Sequence, residues 1–105
     1  MHYRWQMYRA VVMFPKAAPS DEVDALIQGI AASFRASAGF QAVTRSLGAL
    51  MGPGARVGDV GAILEADFAS LDDVMAALHD ESFHDVKEAT EALGTTIFLF
   101  ECTSA

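Results

Sequence analysis

The chain has 105 residues, of which 52% are hydrophobic and 20% charged, and it carries a formal net charge of −7. That length allows one domain, residues 1–105, with a single modest core, and the apolar content is too high for a disordered chain. The acidic balance argues against nucleic acid as a partner, because phosphate binding needs clustered Lys and Arg and only Arg4 and Arg9 approach a cluster. The apolar surplus is large for a small monomer. It predicts that some surface is buried against another subunit or around a ligand.

The first predicted element is a strand over Met7–Phe14, rich in Tyr8, Val11, Val12 and Phe14, and ended by Pro15, which cannot donate to a ladder. Ser20 then reads as a helix N-cap, with Asp21 and Glu22 facing the positive end of the helix dipole. Val23, Leu26, Ile27, Ile30, Ala31 and Phe34 recur at spacings of three and four and define one buried stripe. Gly39 is the expected stop. A second strand is predicted over Gln41–Met51 and a third over Val57–Phe68, joined at Gly52-Pro53-Gly54 as a hairpin. In the third, Val60, Ala62, Leu64, Ala66 and Phe68 share one face, with Ile63, Glu65 and Asp67 on the other.

Ser70 caps a second helix, with Asp73 three residues on, and Leu71, Val74 and Leu78 form its inner stripe. His79-Asp80-Glu81-Ser82 interrupts that stripe, and a break is expected near Ser82. A short helix carrying Phe83, Val86, Ala89 and Leu93 then runs to Gly94, and the last strand is Thr95–Thr103. The order strand, helix, strand, strand, helix, strand predicts a ferredoxin-like α+β sandwich: a four-stranded antiparallel sheet with helices on one face.

Both faces of the first strand are apolar: Tyr8, Ala10, Val12 and Phe14 against Val11 and Met13. The last strand sets Phe98 and Phe100 opposite Ile97 and Leu99. The helices cover one face only. Nothing remains in the chain to cover the other, so a second copy packed sheet to sheet is expected, giving a homodimer.

The element order, the strand Tyr8-Arg9-Ala10-Val11-Val12-Met13-Phe14, the helix end at Ala38-Gly39-Phe40 and the stretch from Glu65 to Val74 resemble the dimeric α+β barrel superfamily. Within it the chain is most similar to EthD-like proteins, with the antibiotic-biosynthesis-monooxygenase and stress-responsive barrel families close behind. The resemblance implies a role with small hydrophobic molecules. One reading is a binding or accessory protein of oxidative degradation; the alternative is a cofactor-independent monooxygenase or isomerase acting on a small aromatic substrate. EthD-like proteins often carry a His in the first helix, but Ala31-Ala32-Ser33-Phe34-Arg35 has none. The step Ala77-Leu78-His79 resembles one in the monooxygenase family, which makes His79 the catalytic candidate.

On the sheet face away from the helices, the expected register sets Arg9 and Arg45 with Asp59, Glu65, Asp67 and Glu101. A few charges among Val11, Met13, Ile63, Ile97 and Leu99 would suit a small-ligand pocket, with Arg9, Arg45 and Met13 as ligand-binding candidates. His79 and His84 are five apart, diverge on a continuous helix and lack a third ligand, so no metal site is expected. Gly52-Pro53-Gly54 lacks the Lys-Ser/Thr of a phosphate loop, and no cofactor is expected. The single Cys102 permits no intrachain disulfide and reads as a small buried hydrophobe. No apolar stretch is long enough to span a bilayer, and a cytoplasmic setting without membrane contact is the expectation.

Overall fold

The computed structural model describes residues 6–47 and 60–104. The elements run β1 (Gln6–Pro15), α1 (Ser20–Arg35), β2 (Phe40–Leu47), β3 (Val60–Phe68), α2 (Leu71–Leu78), α3 (Glu81–Ala92) and β4 (Thr96–Thr103). The strands form one antiparallel sheet in the order β2-β3-β1-β4, with the helices on one face. This is the ferredoxin-like α+β sandwich expected from the sequence. The turn at Gly52-Pro53-Gly54, and the parts of the second and third predicted strands beyond Leu47 and before Val60, lie outside the described residues.

The core forms where the stripe of α1 meets the inner face of the central strands. Ala10, Val12 and Phe14 of β1 and Ala62, Leu64, Ala66 and Phe68 of β3 are buried under Val23, Ile27, Ile30 and Phe34. Leu26 only packs against this cluster from its margin. Three aromatic rings bind the layers together: Phe34 meets Phe68 edge-on at 5.6 Å between centroids and stacks on Phe83 of α3 at 5.3 Å. Ser33 and Ser82, one on each helix, share a hydrogen bond of 2.7 Å.

Several local expectations are corrected. Ser20 is the first residue of α1, not its cap; Pro19 holds the N-cap position and offers no side-chain acceptor. α1 ends at Arg35, before Gly39, whose φ of +76° serves the turn into β2. A side chain at Gly39 would collide with the Asp73 carboxylate. Ser70 does cap α2, accepting from the Asp73 backbone N–H at 3.1 Å. The helix break falls at His79–Asp80, earlier than Ser82, because Asp80 caps α3 by accepting from the Ser82 backbone N–H at 3.0 Å.

Two corrections change the faces of the sheet. In β4, Ile97 pairs with Val12 and Leu99 with Ala10, so both lie on the helix side; Phe98, Phe100 and Cys102 lie on the open side with Val11, Arg9 and Met7. In β2, the register shifts between Phe40 and Ala42. The extra residue reverses the alternation. Val43, Arg45 and Leu47 therefore face the helices, opposite the buried residues Ala66, Leu64 and Ala62. Arg45 is thus not on the open face, and neither is Glu101, which pairs with Tyr8.

Candidate functional site

The helices seal the two central strands but not the two edge strands. Along β2 this leaves a trough between its inner face and α1. A cavity of about 400 Å³ opens there, lined by Pro15, Ala18, Val23, Ile27, Leu47, Gly61 and Ala62, with Lys16, Ser20, Asp24 and Arg45 as its polar groups. A second hollow of about 420 Å³ continues along the same seam past Ile27 and Arg45 to Gln28, Ala31, Arg35, Val43, Thr44 and Leu64.

The space has a local cause. β3 enters the sheet with Gly61 and Ala62, which fill little volume under the N-terminal half of α1. Gly61 cannot be enlarged, since a Cβ there would stand 2.8 Å from the Pro15 carbonyl oxygen. At the seam, Arg45 forms an ion pair with Asp24 Oδ1, and Asp24 Oδ2 accepts from Gln28 Nε2 at 2.9 Å. This pair and Lys16 carry the charges of the cavity, and most of its remaining lining is aliphatic. Pockets of this kind hold small apolar ligands and orient them by a few polar groups.

The structure separates the sequence-derived candidates. Arg45 lines the trough. Arg9 and Met13 lie on the opposite face of the sheet, where Met13 pairs with Ile63 and Arg9 with Asp67. Arg9 is held there by a bidentate pair, Nε to Asp67 Oδ1 at 2.7 Å and Nη2 to Oδ2 at 3.3 Å, with Glu65 Oε2 3.3 Å from Nη1. The hydrogen bond to Asp67 raises the pKa of Arg9 above its ordinary value, against the opposing effect of burial. Two carboxylates share this one cation, so the group has no charge left for an anionic ligand. His79 sits at the C-cap of α2, away from both Arg45 and Arg9, with Nδ1 2.7 Å from the Met75 carbonyl oxygen. His84 is exposed on α3. Among the described residues no group of three His, Cys, Asp or Glu side chains is placed to hold a metal ion. No described helix is long and apolar enough to cross a membrane.

Sequence reasoning did not single out Asp24, Lys16 or the Gly61-Ala62 step. The sequence signal for the last is the pair of small residues at the start of a strand whose later inner positions include Leu64 and Phe68.

The sequence matches no protein-family model and no curated protein. Among solved structures the chain is similar to SnoaB, a cofactor-independent oxygenase from Streptomyces nogalater, with a TM-score of 0.70, 21% identity, and 95% of this chain and 93% of that one covered. It is similar to an ethyl tert-butyl ether D (EthD) family protein from Bacillus halodurans, with a TM-score of 0.69, 13% identity, and coverage of 91% and 98%. A dimeric ferredoxin-like protein of unknown function from Jannaschia matches with a TM-score of 0.76, 10% identity, and coverage of 91% and 99%. At these identities what is shared is the fold. The chain has the ferredoxin-like α+β fold of these dimeric and EthD-family proteins, as its sequence pattern led one to expect.

Proposed function

We propose that the chain is a homodimer whose protomers each bind a small, largely apolar molecule in the trough between α1 and β2. The observation that carries the ligand reading is the cavity of about 400 Å³, lined mainly by aliphatic residues with Lys16, Ser20, Asp24 and Arg45 as its polar groups. Its mostly aliphatic walls suit a small apolar molecule, and the guanidinium N–H groups of Arg45 not engaged by Asp24 can donate to a carbonyl or phenol oxygen at the rim. The dimer reading is supported by the exposed Phe98 and Phe100 on the open sheet face and by the dimeric description of the Jannaschia neighbour. In such a dimer Arg9 and Met13 lie at the interface between sheets, walling any ligand space enclosed there.

The binding role, as an EthD-like carrier or accessory in oxidative degradation, is preferred to catalysis. The alternative is a cofactor-independent monooxygenase or isomerase acting on a small aromatic substrate, and it draws on the neighbour described as a cofactor-independent oxygenase. Such chemistry needs a positioned base in a dry cavity. Asp24 is the carboxylate in the trough, and both its oxygens are already hydrogen-bonded. A thermal-shift panel of small aromatic acids, phenols and ketones distinguishes these ideas from an empty groove. Stabilisation of the wild type that shrinks in Arg45→Ala is expected. Hits dominated by polar or phosphorylated compounds would overturn the reading, and turnover of a bound compound would move it to the enzyme alternative.

A further inference from the structure

The two hollows of the α1–β2 seam differ in charge. The first holds the Arg45–Asp24 pair and Lys16. The second shares Arg45 and adds Arg35, and among the described residues no carboxylate lines it. Along the whole seam three cations thus stand against one carboxylate, in a chain whose formal net charge is −7. At the other uncovered edge of the sheet a cavity of about 280 Å³ lies between the α2–α3 corner and the start of β4, and there Lys87 is accompanied by Glu91.

The position of Arg35 follows from the helix. Asp24, Gln28, Ala31 and Arg35 are spaced by four, three and four residues and form one row on α1. The row overhangs β2, because Asp24 reaches across to Arg45 and Gln28 Nε2 donates to Asp24. Helical side chains lean toward the N-terminus, so the Arg35 stem leaves the backbone along this row, toward Gln28. Asp24 offsets the charge of Arg45. Arg35 has no carboxylate within ion-pair distance among the described residues, so its charge is not offset. A cleft with a surplus of one sign beside apolar walls draws in the opposite charge, and this attraction needs no preset contact.

We infer that the ligand of the trough is an amphipathic monoanion, with an apolar body in the first cavity and a carboxylate in the second hollow, drawn there by Arg35 and Arg45. The inference rests on the ligand reading proposed above and names its chemical class: an aliphatic or aryl-substituted carboxylic acid. The apolar part lies against Val23, Ile27 and Ala62, and the chain of the acid passes Ile27, which lines both hollows.

The test is a ¹H–¹⁵N NMR titration at neutral pH with 4-phenylbutanoate, and with 4-phenylbutanamide as a probe of nearly the same shape but no charge. Saturable shifts are expected at the amides of Asp24–Arg35 and Val43–Leu47, with the acid bound about tenfold more tightly than the amide. That preference should shrink from about 0.1 M to about 1 M salt, as the screening length falls from ~10 Å to ~3 Å. Arg35 is exposed on the helix, so Arg35→Gln should keep the fold and bring the acid down to the affinity of the amide, whereas Arg35→Lys should retain the preference. Equal affinities for acid and amide at the trough would overturn the anionic head group and leave the trough reading standing. An acid preference that survives Arg35→Gln, or is indifferent to salt, would do the same. No saturable shift from either probe, or shifts confined to other parts of the protein, would overturn both readings.

Discussion

Phe98 and Phe100 offer the most direct check on the dimer. Both project from β4 on the open face, with ring centroids 6.2 Å apart, and they are 42% and 50% exposed in the protomer. A Phe side chain presents about 200 Å² when free, so the two expose about 80 and 100 Å² to solvent. At ~25 cal/mol per Å² a partner that covers them gains about 2 and 2.5 kcal/mol per copy, or about 9 kcal/mol over a two-fold pair. Association costs and incomplete burial absorb much of this. Even a third of it, about 3 kcal/mol, is more than a 100-fold change in the dimer dissociation constant. The double variant Phe98→Ser/Phe100→Ser should therefore shift a wild-type dimer to monomer at micromolar concentration, as measured by light scattering after size exclusion. Its far-UV circular dichroism should be retained, because neither ring belongs to the protomer's core. A wild type that is a stable monomer, or a double variant that dimerises as tightly as the wild type, would refute the reasoning.

Ile30→Ala should cost about 2–5 kcal/mol in denaturant unfolding, since Ile30 is fully buried beneath α1; Leu26→Ala, at the margin of the core, should cost distinctly less. Equal losses would mean that the helix is rotated from the facing described. Asp80 supplies an acid-side prediction. The hydroxyl of Ser82, and then its backbone N–H, hold the Asp80 carboxyl below its ordinary value of 3.8. The folded pKa lies below the unfolded one, so the contribution of this cap is present above the unfolded value and is lost as pH falls through the folded one. Asp80→Asn should flatten that part of the stability curve below about pH 3.8. A wild-type and a variant curve with the same acid limb would show that the Asp80 cap does not matter to folding.

Much of the fold was legible because its signals are local. The stripe of α1, the alternation of β3 and the Ser70 cap each lie within one element, and each matches the structure. What was illegible depends on pairing. Ile97, Phe98, Leu99 and Phe100 are all apolar and show no alternation, so only the register with β1 decides which two face the helices. Arg45 was placed on the wrong side because the irregularity between Phe40 and Ala42 cannot be seen in the residues themselves. Arg9 was legible as an open-face charge, but its bidentate hold on Asp67 was not, and that hold removes it as a free anion receptor. His79 was singled out through a resemblance and a broken stripe. The bond that fixes its tautomer comes from the helix end at Met75, four residues earlier.

Both cavities have one physical origin. The inner faces of β1 and β3 carry Ala10, Val12, Phe14, Ala62, Leu64, Ala66 and Phe68, and every one of them is buried. The inner positions of the edge strands are not: Val43 and Ile97 are half-buried, and Leu47 and Leu99 are 72% and 42% exposed. The helix layer is narrower than the sheet beneath it. The edge strands pair the central strands' backbone groups but leave their own outer edges open, and the helices here bury only the inner faces of the two central strands. The overhang leaves apolar floor at each edge, with polar groups from both layers beside it: Asp24 of α1 and Arg45 of β2 at one edge, His79 at the end of α2 and Thr95 before β4 at the other. Filling either overhang with larger side chains would give a tighter protomer without a cavity. Small residues at Gly61 and Ala62, and a helix that stops at Leu78, keep both open.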